Sequence, residues 1–347
     1  MSENRPTAPV VLIASYLEPN FVERVRSVDA RLHVIYEPAL LRRPRYPADH
    51  VGEAMTRSPA QEAAWQELLA RADILFDFDH THHEDLPDLA PNVRWIQATS
   101  AGIGQFVKRM GYDVRMPGTI FTTASGVHAI PLAEFCVMSI LNHYRGLAHL
   151  QASQRRRHWE RFATTDLQGK TIAIIGLGNI GGEVARLCKA FNMNVVAARN
   201  RTAPVAHVDR IFPPQELRAM LPLADIVVMI APHTPQTDKM LGAAEFAAMH
   251  DGAFFINIGR GATVDESALI AALQTGKLSG AALDVFAEEP LPANSPLWEM
   301  DNVLISPHSA STSDRENERI TELFCDNLRR YLDGYPLRNV LDTERLY

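Results

Sequence analysis

The feature that most constrains the fold is the stretch "TIAIIGLGNIGGEVARLCKAF", which holds Gly176, Gly178 and Gly181 in GxGxxG spacing. Such glycines allow a tight turn, close approach of backbone to a pyrophosphate, and close packing of a helix on a strand. An apolar strand precedes the motif, an amphipathic helix follows, and a second strand, "NVVAA", comes next. The start of the helix would present free N–H groups to phosphates. The stretch therefore predicts a dinucleotide-binding βαβ unit.

Regular alternation of strand-like and helix-like segments extends this architecture along the chain. From about 125 to 309, continuous apolar strands alternate with amphipathic helices, which is typical of a parallel sheet covered on both faces. We predict an α/β fold with a doubly wound Rossmann dinucleotide-binding domain, 125–309, inserted in a smaller flavodoxin-like substrate domain, 1–124 plus 310–347. A long helix at 131–151 and the chain near 310 would be the two crossings, with a cleft between the domains.

Composition narrows the class of protein. The chain has 347 residues, enough for two domains, and a net charge of −7 without a long Lys/Arg run, which argues against nucleic-acid binding. Three cysteines, far apart, favour reduced thiols in a cytoplasm-like compartment. The polar start "MSENRPTAP" is unlike an export signal, and the longest apolar stretch, 129–141, is too short to span a bilayer. We therefore expect a soluble cytoplasmic protein without membrane or nucleic-acid partners.

Two arginines follow the second strand, in "AARNRT". At this point dinucleotide-binding proteins usually place an acidic residue for the adenosine ribose of NAD. The chain has Arg199 and Arg201 instead, and guanidinium groups suit a phosphate dianion. The pattern favours NADP(H) as cofactor, with NAD(H) possible. The alternative is that both arginines are only solvated surface charges.

Three residues suited to reducing a keto acid follow three later strands. Arg260 lies in "INIGRGATVDE", Glu289 in "LDVFAEEPLP" and His308 in "LISPHSAST". Ligands of open α/β sheets bind at the carboxyl ends of the strands. Keto-acid reduction needs a cation for the carboxylate, a proton donor for the carbonyl oxygen, and a group that keeps the donor charged. Arginine, histidine and glutamate fill these roles in that order.

A family resemblance is carried by "GKTIAIIGLGNIG", "INIGRGATVDESALIAAL", "AALDVFAEEPLPANSPLW" and "SPHSAST". These motifs resemble the D-isomer-specific 2-hydroxyacid dehydrogenase family, strongly over 170–312 and more weakly over 98–106 and 125–135. Among its members the chain is most similar to the glyoxylate/hydroxypyruvate reductase type, which commonly prefers NADPH. The resemblance implies hydride transfer between NADP(H) and a small 2-keto or 2-hydroxy acid, by a homodimer joined through its dinucleotide domains.

The resemblance also implies roles for individual residues. It makes Arg260, Glu289 and His308 the catalytic set. It assigns substrate-carboxylate contacts to backbone N–H groups of "SAGI", which is Ser100, Ala101, Gly102 and Ile103. It implies cofactor contacts at Asn179, Ile180, Ile258, Gly259, Arg260 and Asp284. The chain departs from the family at Gly104, because it reads "AGIG" where the family often reads "AGVD".

Other interpretations stay open from sequence alone. A member of this fold that binds nucleotide and recruits a protein, as the C-terminal-binding-protein corepressors do, keeps the same three residues. A dehydrogenase for formate or phosphite is another alternative, although the formate branch has Gln where Glu289 stands. The loop "DFDHTHHEDLPD", 77–88, lacks strict metal-ligand spacing. We expect no metal there and consider Asp79 and His80 candidates for a part in substrate choice.

Overall fold

The computed structural model describes residues 8–346 of the chain and divides into two compact units. One unit contains the chain up to His128 and from Thr312 onward, and the other is Ala129–Ser311; the boundaries expected from sequence follow residues 124 and 309. Most of the stretch "MSENRPTAP" lies outside the described residues. Among residues 8–346, no helix is both long enough and apolar enough to cross a membrane.

The first unit is built on a five-stranded parallel sheet of order β2-β1-β3-β4-β5. This is the flavodoxin-like order, and it confirms the predicted fold. The strands are β1 (Val10–Ile13), β2 (His33–Ile35), β3 (Ile74–Phe76), β4 (Trp95–Gln97) and β5 (Ile120–Thr122). The helices are α1 (Pro19–Arg26), α2 (Pro59–Arg71), α3 (Leu86–Leu89), α4 (Gly104–Arg109) and α5 (Tyr112–Arg115).

Local sequence explains where α2 begins. The Ser58 hydroxyl accepts a hydrogen bond from the Gln61 N–H, the Gln61 side chain accepts one from the Ser58 N–H, and Pro59 occupies the first helical position. In the sequence, Ser58 as a cap followed by Pro59 predicts that a helix begins at Pro59, and α2 begins there. Trp65 and Leu69 on this helix are fully buried in the core on one face of the sheet.

The second unit is built on a seven-stranded parallel sheet of order β12-β11-β10-β9-β6-β7-β8. The order reverses between β6 and β9, as in doubly wound dinucleotide-binding sheets, which confirms the predicted architecture. The strands are β6 (Thr171–Ile175), β7 (Asn194–Ala198), β8 (Arg210–Phe212), β9 (Ile226–Met229), β10 (Ala253–Asn257), β11 (Leu278–Leu283) and β12 (Val303–Ile305). The helices are α6 (Ala129–Tyr144), α7 (Leu147–Arg155), α8 (Asn179–Ala190), α9 (Leu217–Met220), α10 (Ala243–Ala248) and α11 (Glu266–Gln274).

The remaining elements are α12 and short 3-10 turns. Helix α12 (Glu316–Leu332) belongs to the first unit and buries Phe324 and Leu328 against its sheet. The 3-10 turns are Pro38–Leu40, Pro214–Glu216, Leu221–Leu223, Gly261–Thr263 and Pro296–Glu299.

Two predictions about helices were wrong. The single helix expected over 131–151 is two helices, α6 and α7, because Gly146 between them has the left-handed φ of +67°. Within the alternating pattern of 125–309, the segment "PQELRAML" predicts one of the amphipathic helices, but only the four-residue α9 forms there, flanked by 3-10 turns that contain prolines. The three-residue edge strand β8 was not predicted, since so short a segment carries almost no periodicity.

Candidate active site

The glycine loop lies at the carboxyl end of β6, where the strand order reverses. Gly176 has a φ of +100°, and a Cβ there would lie 2.6 Å from the Ala231 nitrogen. At Gly181 a Cβ would lie 2.6 Å from the Gly176 carbonyl oxygen, so α8 can pack this closely on the strand only with glycine. Both glycines are thus required by the local structure.

The start of α8 leaves room for a ligand. Among the described residues other than its two chain neighbours, no heavy atom lies within 4 Å of the position that a Cβ of Gly178 would occupy. Gly178 and Asn179 are exposed, and Ile180 is half-buried. A helix N-terminus beside a loop without side chains suits a pyrophosphate, since N–H groups of the first turn lack intrahelical partners.

The loop after β10 lies beside the glycine loop. The N–H of Ile258 donates to the Met229 carbonyl at 3.2 Å, which carries the β10–β9 pairing one residue further. A Cβ on Gly259 would lie only 3.1 Å from the Ala231 carbonyl oxygen. The loops that follow β6, β9 and β10 therefore meet, and their backbone fits a dinucleotide.

Arg199 and Arg201 stand at the end of β7. The Arg199 N–H donates to the Phe212 carbonyl at 3.1 Å, which ties this residue to the edge strand β8. The Arg199 side chain is half-buried, whereas Arg201 is exposed. Within the part of the chain that the structure describes, neither guanidinium has a hydrogen bond or an ion pair. Two cations without internal partners, beyond the strand that follows the glycine loop, suit an anionic ligand group.

Arg260 follows β10 and is half-buried. Its Nη1 donates to the Gly259 carbonyl at 2.8 Å, and its own carbonyl accepts from the Thr263 hydroxyl at 2.6 Å. Burial lowers the pKa of Arg260, and the negative charges of Glu289 and Asp284 oppose this change. An arginine remains charged under such a shift, so the residue presents a partly desolvated cation.

A glycine that sequence reasoning missed joins two of the site loops. A Cβ on Gly261 would lie 2.6 Å from the Ala287 nitrogen and would clash with the Phe286 carbonyl. The loop that carries Arg260 therefore packs directly on the loop after β11, which carries Glu289. The only sequence signal was the glycine on each side of Arg260 in "GRG".

The side chains of Glu289 and His308 are hydrogen-bonded to each other. His308 Nδ1 lies 2.7 Å from Glu289 Oε2, and the other carboxylate oxygen accepts from the Phe286 N–H at 3.0 Å. The side chain of His308 is 44% exposed and that of Glu289 is 36% exposed, so this pair is open to a ligand and screened by solvent. His308 has a φ of +53°, a left-handed conformation that is uncommon for residues other than glycine.

Asp284 anchors the loop that carries His308. Its buried Oδ1 accepts from the Ser306 hydroxyl at 2.5 Å, from the Ser309 N–H at 2.9 Å and from the Ala310 N–H at 3.0 Å. Burial raises the pKa of Asp284, and these hydrogen bonds act against that rise. The resemblance implied a cofactor contact here; the structure adds a positioning role that no local pattern indicated.

The second unit thus brings Arg260, Glu289 and His308 to the carboxyl edge of its sheet. They come from the loops after β10, β11 and β12, which are neighbours in the strand order. Parallel neighbours end at the same edge, which is why three residues far apart in sequence meet.

The loop that follows β4 in the first unit contains the "SAGI" residues. Ser100, Ala101 and Gly102 are exposed, whereas Ile103 is 5% exposed and packs in the core. The Gly102 N–H donates to the Ser100 hydroxyl at 3.3 Å, a long hydrogen bond, and the Ser100 carbonyl accepts from the Ala124 N–H at 3.1 Å. The loop therefore exposes its backbone to solvent, and it is anchored by the buried Ile103 side chain and by the hydrogen bond from Ala124.

The loop 77–88 is internally bonded. The buried Asp79 accepts from Trp65 Nε1 and from the Thr81 N–H, both at 2.9 Å, and pairs with His82 at 2.6 Å. Burial raises the pKa of Asp79, but hydrogen bonds from His82, Thr81 and Trp65 outweigh it and lower the pKa to about 2. His80 pairs with Asp77 at 3.1 Å. Across residues 8–346, no three His, Cys, Asp or Glu side chains are grouped as metal ligands.

Comparison with known proteins gives consistent matches. The model of the family described as "D-isomer specific 2-hydroxyacid dehydrogenase, NAD binding domain" matches residues 137–310. A glyoxylate reductase of Thermofilum pendens is 32% identical over 82% of this chain and 85% of its own length. A glyoxylate/hydroxypyruvate reductase B of Citrobacter koseri is 40% identical over 52% of this chain and 56% of its own length.

The similarity extends to other activities and to solved structures. A D-3-phosphoglycerate dehydrogenase of Archaeoglobus fulgidus is 32% identical over 65% of this chain, but the match spans only 43% of that protein. A crystal structure of a D-isomer-specific 2-hydroxyacid dehydrogenase from Xanthobacter autotrophicus Py2, in complex with NADPH and MES, has a TM-score of 0.78 and 26% identity. That match covers 98% of this chain and 100% of the other.

Proposed function

We propose, from the premise that this chain belongs to the D-isomer-specific 2-hydroxyacid dehydrogenase family, that it reduces a small 2-keto acid such as glyoxylate or hydroxypyruvate with NADPH. The family itself establishes the coarser activity, that of a 2-hydroxyacid dehydrogenase that binds a nicotinamide dinucleotide. The observation that best supports the proposal is the His308–Glu289 pair at 2.7 Å, next to a half-buried arginine.

Each of the three residues has a distinct part in the proposed reaction. A bound reduced nicotinamide supplies the hydride to the keto carbon. Protonated His308 donates its Nε2 proton to the carbonyl oxygen, while Glu289 accepts a hydrogen bond from Nδ1 and holds the ring in place. Arg260 binds the substrate carboxylate with its planar fork of N–H donors. A general acid positioned in this way is suited to reduction at neutral pH.

The proposed preference for NADPH depends on Arg199 and Arg201. The 2′-phosphate of NADP(H) would take the place of the ribose hydroxyls that an acidic residue binds in NAD-dependent relatives. The Xanthobacter autotrophicus protein, crystallised with NADPH, has the same fold as this chain. We retain NAD(H) as a possible second cofactor of lower affinity.

A substrate panel tests the proposed function. The full chain is assayed with glyoxylate, hydroxypyruvate and pyruvate, each with NADPH and with NADH, and with D-3-phosphoglycerate and the oxidised cofactors. We expect the highest kcat/KM for glyoxylate or hydroxypyruvate with NADPH. A protein that binds NADPH tightly but turns over none of these acids would instead support the non-catalytic alternative.

We expect Arg260→Lys to lower kcat/KM for the keto acid by about tenfold to a hundredfold. An ammonium group replaces two aligned charge-assisted hydrogen bonds with a point charge, and a charge-assisted hydrogen bond contributes about 1.5–3 kcal/mol. Steady-state kinetics with varied glyoxylate measure the effect, and NADPH binding to the free enzyme is the control. Unchanged kinetics together with a lower melting temperature would show that Arg260 is only structural.

We also propose that the chain forms a homodimer through α6, α7 and the segment that follows. Apolar side chains are exposed along this part of the second unit: Ile130, Met138, Leu147, Leu150, Trp159 and Phe162. Trp159 is 95% exposed, and large exposed apolar groups in one region are typical of association surfaces.

The dimer is tested with Trp159→Glu. Light scattering coupled to size exclusion should give the mass of two chains for the wild type and a shift towards one chain for the variant. Tyr335→Glu, at a position that is 62% exposed in the first unit, is the matched control and should remain dimeric. A wild type with the mass of one chain at micromolar concentration would contradict the proposal.

We further propose that the protein works in the reducing cytoplasm. Cys136, Cys188 and Cys325 are all buried and free. Burial raises the pKa of the Cys188 thiol to about 12, which disfavours the reactive thiolate at neutral pH.

A further inference from the structure

The segment 339–346 lies along the outer edge of the first unit's sheet. Val340 forms an antiparallel bridge with Thr122 on the edge strand β5. Leu341 is 6% exposed and packs in the same apolar core as Ile103. The segment is therefore a docked part of this unit.

A turn centred on Asp342 directs the segment onto the loop after β4. Asp342 Oδ1 accepts from the Glu344 N–H at 3.0 Å and from the Arg345 N–H at 2.9 Å. The Asp342 carbonyl accepts from the Leu346 N–H at 2.7 Å. These three bonds place the backbone of Leu346 against Gly104.

The contact at Gly104 leaves no space for a side chain. A Cβ there would lie 2.6 Å from the Leu346 carbonyl carbon and 2.7 Å from its Cα, and it would clash with the carbonyl oxygen; real Cβ atoms essentially never approach below 3.0 Å. The φ of Gly104 is not in the left-handed region. Close approach of the segment, and not backbone conformation, is the reason that glycine is required here.

We propose that segment 339–346 holds the loop 100–103 in its substrate-binding conformation, with Gly104 and Leu346 as positioning residues. The inference rests on the proposed function and on the substrate-carboxylate contacts that the family resemblance implies for backbone N–H groups of this loop. Gly104 directly follows Ile103, so a displaced segment moves the end of the loop. A misplacement of about 1 Å can lower a reaction rate by as much as ~10²-fold.

The test is a double-variant cycle with Gly104→Ala and with the chain shortened after Asp342. In the full chain, Gly104→Ala should lower kcat/KM for glyoxylate by about tenfold or more, chiefly through KM, while the KM for NADPH stays unchanged. In the shortened chain, where the obstructing backbone is gone, adding Gly104→Ala should have little further effect. Equal effects of Gly104→Ala in both backgrounds would overturn the proposal.

Gly242→Ala is the matched control. Gly242 has a negative φ, lies in the second unit, and its added Cβ would meet only Glu245 Oε2 at 3.6 Å. This variant should keep wild-type kinetics. If the shortened chain does not fold, Asp342→Ala, which removes the acceptor of two N–H groups, takes its place and should also raise the KM for glyoxylate.

Hydrogen exchange provides a readout that does not depend on catalysis. Amides of the peptide 98–110 should exchange faster in the shortened chain and in Gly104→Ala than in the wild type, whereas peptides of the second unit should be unchanged. Unaltered exchange at 98–110 would overturn the proposal even in an active enzyme. Faster exchange at 98–110 in both variants, together with a wild type that reduces no keto acid, would support the contact and refute the proposed function.

Discussion

His308→Ala is expected to lower kcat by a factor of about 10² to 10⁴, the usual effect of removing a positioned general acid. The affinity for NADPH should not change, because the residues proposed to bind the cofactor lie on other loops. The reason is chemical: alanine cannot protonate the developing alkoxide, whereas the imidazole of His308 is held in place by its hydrogen bond to Glu289. Single-turnover reduction of glyoxylate, followed at the nicotinamide absorbance, measures the step directly.

Two further variants make this result specific. His308 has a φ of +53°, so alanine adds backbone strain; His308→Asn, which tolerates the left-handed conformation, removes the acid without that strain and should lose as much activity. His250→Ala changes an exposed histidine that precedes β10 and should retain wild-type turnover. If His308→Asn kept most of the activity, His308 would not be the proton donor.

Arg199→Asp is expected to reverse the cofactor preference of the enzyme. A charge-assisted hydrogen bond contributes about 1.5–3 kcal/mol, and each 1.4 kcal/mol is about tenfold in affinity. Loss of Arg199 should therefore weaken the binding of NADPH by about tenfold to a hundredfold. The new carboxylate would also repel the 2′-phosphate and offer an acceptor to the ribose hydroxyls of NADH. The measurement is kcat/KM with both cofactors, and the change should appear mainly in KM.

The positions of the two arginines predict which substitution weakens NADPH binding more. Arg199 is tied by its N–H to β8 and is half-buried, whereas Arg201 lies exposed on the following loop. Arg201→Asp should therefore weaken the binding of NADPH no more than Arg199→Asp does. Arg329→Asp, an identical charge change at an exposed position of α12, should leave the preference unaltered. A wild type that works as well with NADH would show that both arginines are surface charge.

Local sequence was sufficient for the architecture of this protein and for the nature of its candidate residues. Continuous apolar strands between amphipathic helices indicate a parallel sheet because both faces must be covered. The glycine spacing was informative because the positive φ of Gly176 and the close contact of Gly181 with the Gly176 carbonyl are constraints within a few residues. Arg260, Glu289 and His308 could be named because a residue that follows a parallel strand lies at the carboxyl edge by geometry alone.

Local pattern failed wherever a short segment or a single backbone angle decided the outcome. Gly146 divides the predicted long helix, although its neighbours are compatible with a continuous one. The edge strand β8 has three residues, and its existence depends on pairing with β7 rather than on its own composition. The hydrogen bonds that the Asp79 carboxylate makes with Trp65, Thr81 and His82 were likewise not visible in the local pattern.

What only the tertiary structure decided is how the loops are held. Asp284 accepts hydrogen bonds from the loop that carries His308. Gly261 lets the loop of Arg260 pack on the loop of Glu289. Gly104 lets the backbone of Leu346 approach the loop after β4. The last of these contacts joins residues more than two hundred positions apart. Periodicity and motif spacing record interactions within one turn or one strand, whereas these contacts depend on the distance between backbones that only folding brings together. The sequence therefore determined which residues are candidates for the chemistry of the site, and tertiary packing determined how their loops are positioned.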